Sequence, residues 1–203
     1  MILLTGGSGL LGTELQKYLD CETTRFDITQ PVPQKFLRNW SLVIHAAAYT
    51  DVVKAEKDRK GCFLVNFMGT VNLAKTFRGI PFVHISTEYV YNPTNFYTLT
   101  KVEAEKAVVA FANPYLIIRT LFKSYPFPHP RAFVDQYTRG DYVDVIAPLI
   151  VSEIIRWDKK VSGARDVVTE RKTMFELARR SNPEVEESWV DDIKEVRLPK
   201  DYQ

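Results

Sequence analysis

The chain opens on apolar and β-compatible residues at positions 2–5, meets glycines at Gly6, Gly9 and Gly12, and continues as an amphipathic run over 10–19. That order predicts a strand, a tight turn and a helix. Residues 21–28 have room for a second short strand and its exit, and Pro31 and Pro33 mark a loop before a short helical stretch around 34–39. The run 41–48 (SLVIHAAA) reads as a buried strand whose last positions are small. Over 61–79, Phe63, Leu64, Phe67, Val71, Leu73, Ala74 and Phe77 recur at helical spacing, with the polar Asn66 near the start. The next strand is expected at 81–85, running into Ser86, Thr87 and Glu88. A turn at 92–95 then leads to a helix ending near Ala112, and 115–120 predicts a further strand.

Past residue 120 the alternation of strands and helices breaks down. Residues 124–130 hold three prolines and predict a rigid loop that lines a pocket. An apolar helical run over 142–157 is interrupted by Pro148; a short strand at 164–169 and a helix at 172–180 follow, then a polar, weakly patterned tail from 183. There is no internal repeat, low-complexity stretch or clear linker.

Length narrows this to one domain, or one domain with a small lobe, since 203 residues can bury a sizeable core. A hydrophobic share of 45% and a net charge of +2 with interspersed signs leave no electrostatic footprint for nucleic acid. No apolar run approaches the roughly 20 residues of a membrane span, and the N-terminus has no basic signal-peptide region. Cys21 and Cys62 read as reduced thiols, so a cytoplasmic protein is expected. No metal site is expected.

Three groups of residues carry candidate chemistry. A glycine turn after a strand lets backbone N–H groups approach a pyrophosphate. Gly6 would make the turn, Gly9 would allow close approach and Gly12 would let the helix pack on the strand, with Ser8, Leu10 and Leu11 completing the segment. Past the second strand, Arg25 with Thr23 and Thr24 reads either as a phosphate site or as a solvated surface charge, and Asp27 stands where it could touch an adenine. Thr87 ends a strand at the edge where open α/β sheets bind ligands, while Tyr97 and Lys101, four apart, share one helix face. A lysine so placed can lower a phenol's pKa and yield an acid or base near neutral pH; the spacing also suits an ordinary helix pair. His45 and His84, inside apolar runs, read as packed core.

Taken in order, GGSGLLG, HAAAYTDVVKAE, NFMGTVNLA, STEYVY, YTLTK and IIRT resemble the extended short-chain dehydrogenases, and within them the dTDP-4-dehydrorhamnose reductase group. The resemblance covers residues 1–120. It implies an α/β fold, a Rossmann-type doubly wound parallel sheet over 1–123, with a reduced C-terminal substrate lobe over 124–203 packed on it. It places the glycine motif at the pyrophosphate and Ala46, Ala47, Ala48 and Tyr49 beside adenosine and ribose. Asp27 and Ile28 fall near adenine, and Asn66 matches a helix asparagine of the cofactor site. Thr87, Tyr97 and Lys101 match the catalytic hydroxyl, tyrosine and lysine, the last two also touching cofactor. The implied reaction is reduction of a keto sugar nucleotide with NADP or NAD, NADPH being favoured, and relatives that pair leave room for a homodimer. A cofactor-binding protein without turnover and an epimerase or dehydratase are the alternatives. The chain departs from the pattern in three ways. Thr87 and Tyr97 are only ten positions apart where the family carries a longer loop, Val53 replaces an aspartate although Glu56 matches, and the C-terminal end is short.

Overall fold

The computed structural model describes residues 1–201. Five strands, β1 (Ile2–Thr5), β2 (Cys21–Thr23), β3 (Leu42–His45), β4 (Phe82–Thr87) and β5 (Tyr115–Thr120), build a parallel sheet with an edge strand at Gly163–Asp166. Their spatial order is β2-β1-β3-β4-β5-edge. The chain leaves β1 toward β2 on one side and returns to β3 on the other, so a crevice opens at the carboxyl ends of β1 and β3.

Because side chains alternate across a strand, both faces of each inner strand must be apolar, and the strands read as unbroken hydrophobic runs. Leu4, Ile44, Val83, Ile85 and Ile118 pack on one face; Leu3, Val43, Phe82 and Ile117 pack on the other, against Leu73, Phe77 and Val108. His45 and His84, each 1% exposed, lie inside this core. The Thr5 hydroxyl and Thr70 hydroxyl bond the two ring nitrogens of His45 at 2.8 and 2.9 Å.

The first helix, α1 (Leu10–Leu15), is shorter than its amphipathic run and unwinds through a turn at 16–18. A helix the hydrophobic pattern did not single out, α2 (Val52–Lys57), starts where the Asp51 carboxylate accepts the Lys54 N–H at 2.8 Å. The long helix expected over 61–79 is in fact α3 (Arg59–Phe63), a π turn (Leu64–Met68) and α4 (Gly69–Thr76). Next comes α5 (Phe96–Phe111), opened by a reciprocal cap between Asn95 and Thr98.

Beyond residue 123 the chain returns to the main sheet before completing a lobe. Its helix α6 (Val143–Arg156) buries Ile146, Ala147, Ile150 and Ile154 in the same core as Leu4, Leu11 and Leu15, and the strand Gly163–Asp166 extends the sheet beside β5. An apolar face of that length has to be covered, and the sheet covers it. Helix α6 runs on through Pro148, which lies inside it and leaves the Asp144 carbonyl without its i+4 donor. The lobe itself is built on short ladders, Arg131–Phe133 with Glu186–Ser188 and Tyr137–Thr138 with Lys172–Thr173, and on α7 (Met174–Arg179). The helix expected from 172 thus begins as a strand and turns helical only after the Thr173 cap. Its core gathers Phe127, Tyr142, Met174 and Leu177.

The tail then straps back across the molecule. Arg197 O accepts from Thr94 Oγ1 and Asn95 Nδ2, both at 3.0 Å, and Lys200 O accepts from Tyr137 N at 2.8 Å.

Candidate active site

The glycine turn is locked by its own backbone. Gly9 N donates to Gly6 O at 3.0 Å, and Gln16 Nε2 donates to Gly7 O at 2.7 Å and Gly12 O at 2.9 Å. Gly6 has φ +72°, and a Cβ there would lie 2.6 Å from Ala47 N, so the ends of β1 and β3 approach as only glycine permits. A Cβ on Gly12 would sit 2.1 Å from Gly6 O. Ser8, Gly9 and Leu10 form the exposed rim of the turn, whereas Leu11 and Gly12 are buried beneath it.

The residues expected around adenosine divide in the same way. Arg25 and Asp27 are exposed past β2, and the Asp27 carboxylate accepts the Thr29 N–H at 2.9 Å, fixing the bend. Ile28 is buried, its side chain filling the space that a Cβ on Gly69 would occupy. Ala46, Ala47, Ala48 and Tyr49 follow β3, half-buried.

Asn66 acts at one remove. Its Oδ1 accepts Tyr49 N at 2.7 Å, and its Nδ2 donates to Tyr49 O at 3.1 Å and Thr100 Oγ1 at 3.0 Å. The side chain is 1% exposed and occupied within the protein, so it holds the Tyr49 backbone and ties the π turn to α5.

At the carboxyl end of β4 the Thr87 hydroxyl lies beside the Tyr97 phenol and favours its ionised form. Thr87 Oγ1 accepts Tyr89 N at 3.2 Å. Both residues and Lys101 line one cleft, which Ala46 and Ala48 enter from β3 and Thr120 and Lys123 from β5 and beyond. Glu88, the next residue after Thr87, lines a second and larger depression of about 420 Å³ with Tyr91, Tyr137 and Arg139. That larger space does not reach Tyr97. The chemistry-bearing hydroxyls belong to the smaller cleft.

The expected lowering of the Tyr97 pKa by Lys101 does not arise here. Burial pushes the phenol above the ordinary tyrosine range, with Tyr89 and Cys62 adding to the rise and Thr87 opposing it. The Lys101 ammonium instead donates to Ile85 O at 2.8 Å and lies 3.5 Å from His84 Nε2. Desolvation brings Lys101 down to about 8 and keeps His84 neutral, well below its usual range.

This burial has a measurable consequence for stability. Between about pH 8 and the ordinary lysine value of 10.5, the unfolded chain holds a proton that folded Lys101 has released. Stability therefore rises with pH through that window, and below it the cost of the buried charge is present in full. Lys101→Met removes the term. Its unfolding free energy relative to the parent chain should fall by roughly 2–3 kcal/mol between about pH 7 and pH 10. Urea unfolding at the two values checks it, and a pH-independent difference would refute it.

The sequence reading missed how Tyr97 is held. Glu56 Oε1 accepts Phe96 N at 2.7 Å, fastening α2 to the first turn of α5, and the Arg59 guanidinium bonds Glu56 at 2.8 Å while stacking on Phe96. Glu56 stood in a quoted motif, but its partner lies 40 residues away. Thr120 ends the IIRT motif without a role assigned to it, and Lys123 has no local signature.

Residues 1–148 match the family described as RmlD substrate binding domain. The dTDP-4-dehydrorhamnose reductase of Mycolicibacterium smegmatis is 32% identical over 145 residues, covering 59% of this chain and 44% of that protein. A probable dTDP-4,6-dihydroxy-2-methyloxan-3-one 4-ketoreductase of Streptomyces antibioticus is 28% identical over 177 residues, covering 71% of this chain and 59% of its own. The chain spans about half the length of the curated relatives it matches. Among solved structures, a dTDP-4-dehydrorhamnose reductase from Bacillus anthracis in complex with NADP superposes with a TM-score of 0.84 at 25% identity, over 98% of this chain and 88% of that one. With the family matched across more than half its length and a Rossmann-type sheet beneath it, the chain belongs to the RmlD substrate binding domain family.

Proposed function

We propose that this chain is an NADP-dependent reductase of a keto-sugar nucleotide. The observation that carries the reading is the Thr87–Tyr97 hydroxyl pair, opening on a cleft that Lys101 shares with the small residues after β3. The protein fits a dinucleotide: the turn at Gly6, Gly9 and Gly12 presents backbone where side chains would obstruct, and it stands at the crevice between β1 and β3. Ser8, Gly9 and Leu10 would face the pyrophosphate. Ala46, Ala47, Ala48 and Tyr49 would run beside the ribose, with Arg25, Asp27 and Ile28 at the adenosine end. When bound, the dinucleotide supplies the hydride.

Tyr97 donates its phenolic proton to the substrate carbonyl oxygen as that oxygen gains charge, and Thr87 hydrogen-bonds the same oxygen. A pKa pushed upward by burial keeps the phenol protonated at neutral pH, which an acid requires. Lys101 contributes a fixed cation at the floor of the cleft, and Asn66 keeps the Tyr49 backbone in place along the edge. Cytoplasmic residence fits the free thiols of Cys21 and Cys62. Exposed Phe63, Leu64, Met68, Leu99 and Val109 on α3–α5 and the intervening π turn support a homodimer. Among the described residues no helix is long and apolar enough to cross a membrane.

The test is oxidation of NADPH, followed by absorbance, with dTDP-4-dehydrorhamnose as substrate. Turnover is the expected result. The ten-residue step from Thr87 to Tyr97 favours a second reading, binding without turnover. NADPH binding by fluorescence with no oxidation of any keto-sugar nucleotide would select that second reading.

A further inference from the structure

Thr87 and Thr120 are direct partners in the register between β4 and β5, so their side chains stand side by side on one face of the sheet. The Thr87 hydroxyl accepts the Tyr89 N–H; the Thr120 hydroxyl has no such bond. The Thr120 hydroxyl is buried and has no partner within the protein, although it lines the cleft that holds Tyr97. A hydroxyl left unpaired in the interior costs free energy unless something else completes it.

Three residues on, Lys123 lines the same cleft. It is half-buried, and burial alone pulls its amine below the ordinary lysine range, with no carboxylate nearby to counter the effect. Every other buried cation near the site is answered: Lys101 by Ile85 O, Arg119 by Glu105 and Lys172 by Asp141. A cation and a hydroxyl without partners, facing one cleft, form a receptor for anionic oxygen.

Strand order says which reactant brings that oxygen. The glycine turn ends β1, Thr87 ends β4, and Thr120 and Lys123 lie past Thr87 at the end of β5. A dinucleotide laid from Gly6 toward Thr87 stops short of them, and what lies beyond belongs to the second reactant. We propose that Thr120 and Lys123 form a subsite for the phosphate oxygens of the nucleotide-linked substrate, on the far side of Tyr97 from the dinucleotide. This rests on the reductase reading of the cleft. It adds to that reading a specificity-determining cation that the family motifs quoted above do not contain.

The test is calorimetric titration of the whole chain, saturated with NADPH, with dTDP and separately with thymidine. In Lys123→Met the dTDP dissociation constant should rise about tenfold or more, as expected for loss of a charge-assisted bond to phosphate. Thymidine binding and the NADPH dissociation constant should stay within about twofold, and Lys123→Arg should recover most of the dTDP affinity. Thr120→Val, which keeps the shape and removes the hydroxyl, should weaken dTDP by a smaller factor in the same direction. Equal dTDP affinity in Lys123→Met would overturn the proposal, as would failure of the parent chain to bind dTDP. A matching loss of NADPH affinity would also overturn it, by assigning the cation to the dinucleotide. If the parent chain binds no NADPH, the reductase reading falls while the dTDP comparison, run without cofactor, still decides the subsite.

Discussion

Tyr97→Phe is expected to leave NADPH affinity within about twofold of the parent chain and to lower kcat by about two to four powers of ten, the usual weight of a positioned general acid. The substitution removes one oxygen. The ring stays in a pocket where it is only 8% exposed, so its packing with Ala55 of α2, Cys62 of α3 and Tyr89 is retained. What disappears is the proton donor beside Thr87. Losing one buried phenolic oxygen should cost at most about 1–2 kcal/mol of stability, too little to unfold the chain. Cofactor fluorescence titration and steady-state rates measured on one preparation separate the two effects. Unchanged turnover would mean the acid has been assigned to the wrong residue.

Gly12→Ala should abolish NADPH binding and lower stability by roughly 1–3 kcal/mol, the range for forced overpacking. The added methyl would lie 2.1 Å from Gly6 O, a backbone atom that cannot swing aside like a flexible side chain. Helix α1 would have to lift away from the turn, moving the Ser8–Leu10 rim and disturbing the Gln16 bonds to Gly7 O and Gly12 O that hold it. Gly163→Ala is the control, because nothing lies within 4 Å of its Cβ position and its φ is not positive. Thermal melts and NADPH titration of both variants make the comparison. Tight NADPH binding by Gly12→Ala would show that the turn is not where the dinucleotide rests.

The readings that held depend on chemistry close along the chain. Strand β1 running into Gly6 needs only three apolar positions, a β-branched threonine and a residue free to take positive φ. Strands β3, β4 and β5 announced themselves as continuous apolar runs because both of their faces are covered. The spacing of Tyr97 and Lys101 placed them on one helix, but the direction of the Tyr97 shift was misread. Helical spacing says that a lysine is near, whereas only the fold says that its ammonium turns to Ile85 O and that burial dominates the phenol.

What stayed hidden depends on partners far apart in sequence. Nothing in NFMGTVNLA marks a π turn; it exists where Asn66 reaches the Tyr49 backbone and Thr100 together. Residues after 123 looked like a lobe, and only the exposed edge of β5 and the uncovered face over Leu4 and Leu11 explain why 143–166 return to the sheet. The weakly patterned tail acquires its course from the Arg197 and Lys200 carbonyls, which have no side-chain signature. Sequence alone therefore determined the parallel sheet, the glycine turn and the residue types at the carboxyl edge, since periodicity and backbone freedom are local properties. Tertiary structure decided which of those residues touch, which charges are buried and which are left without a partner, because desolvation and long-range pairing arise only when distant segments meet.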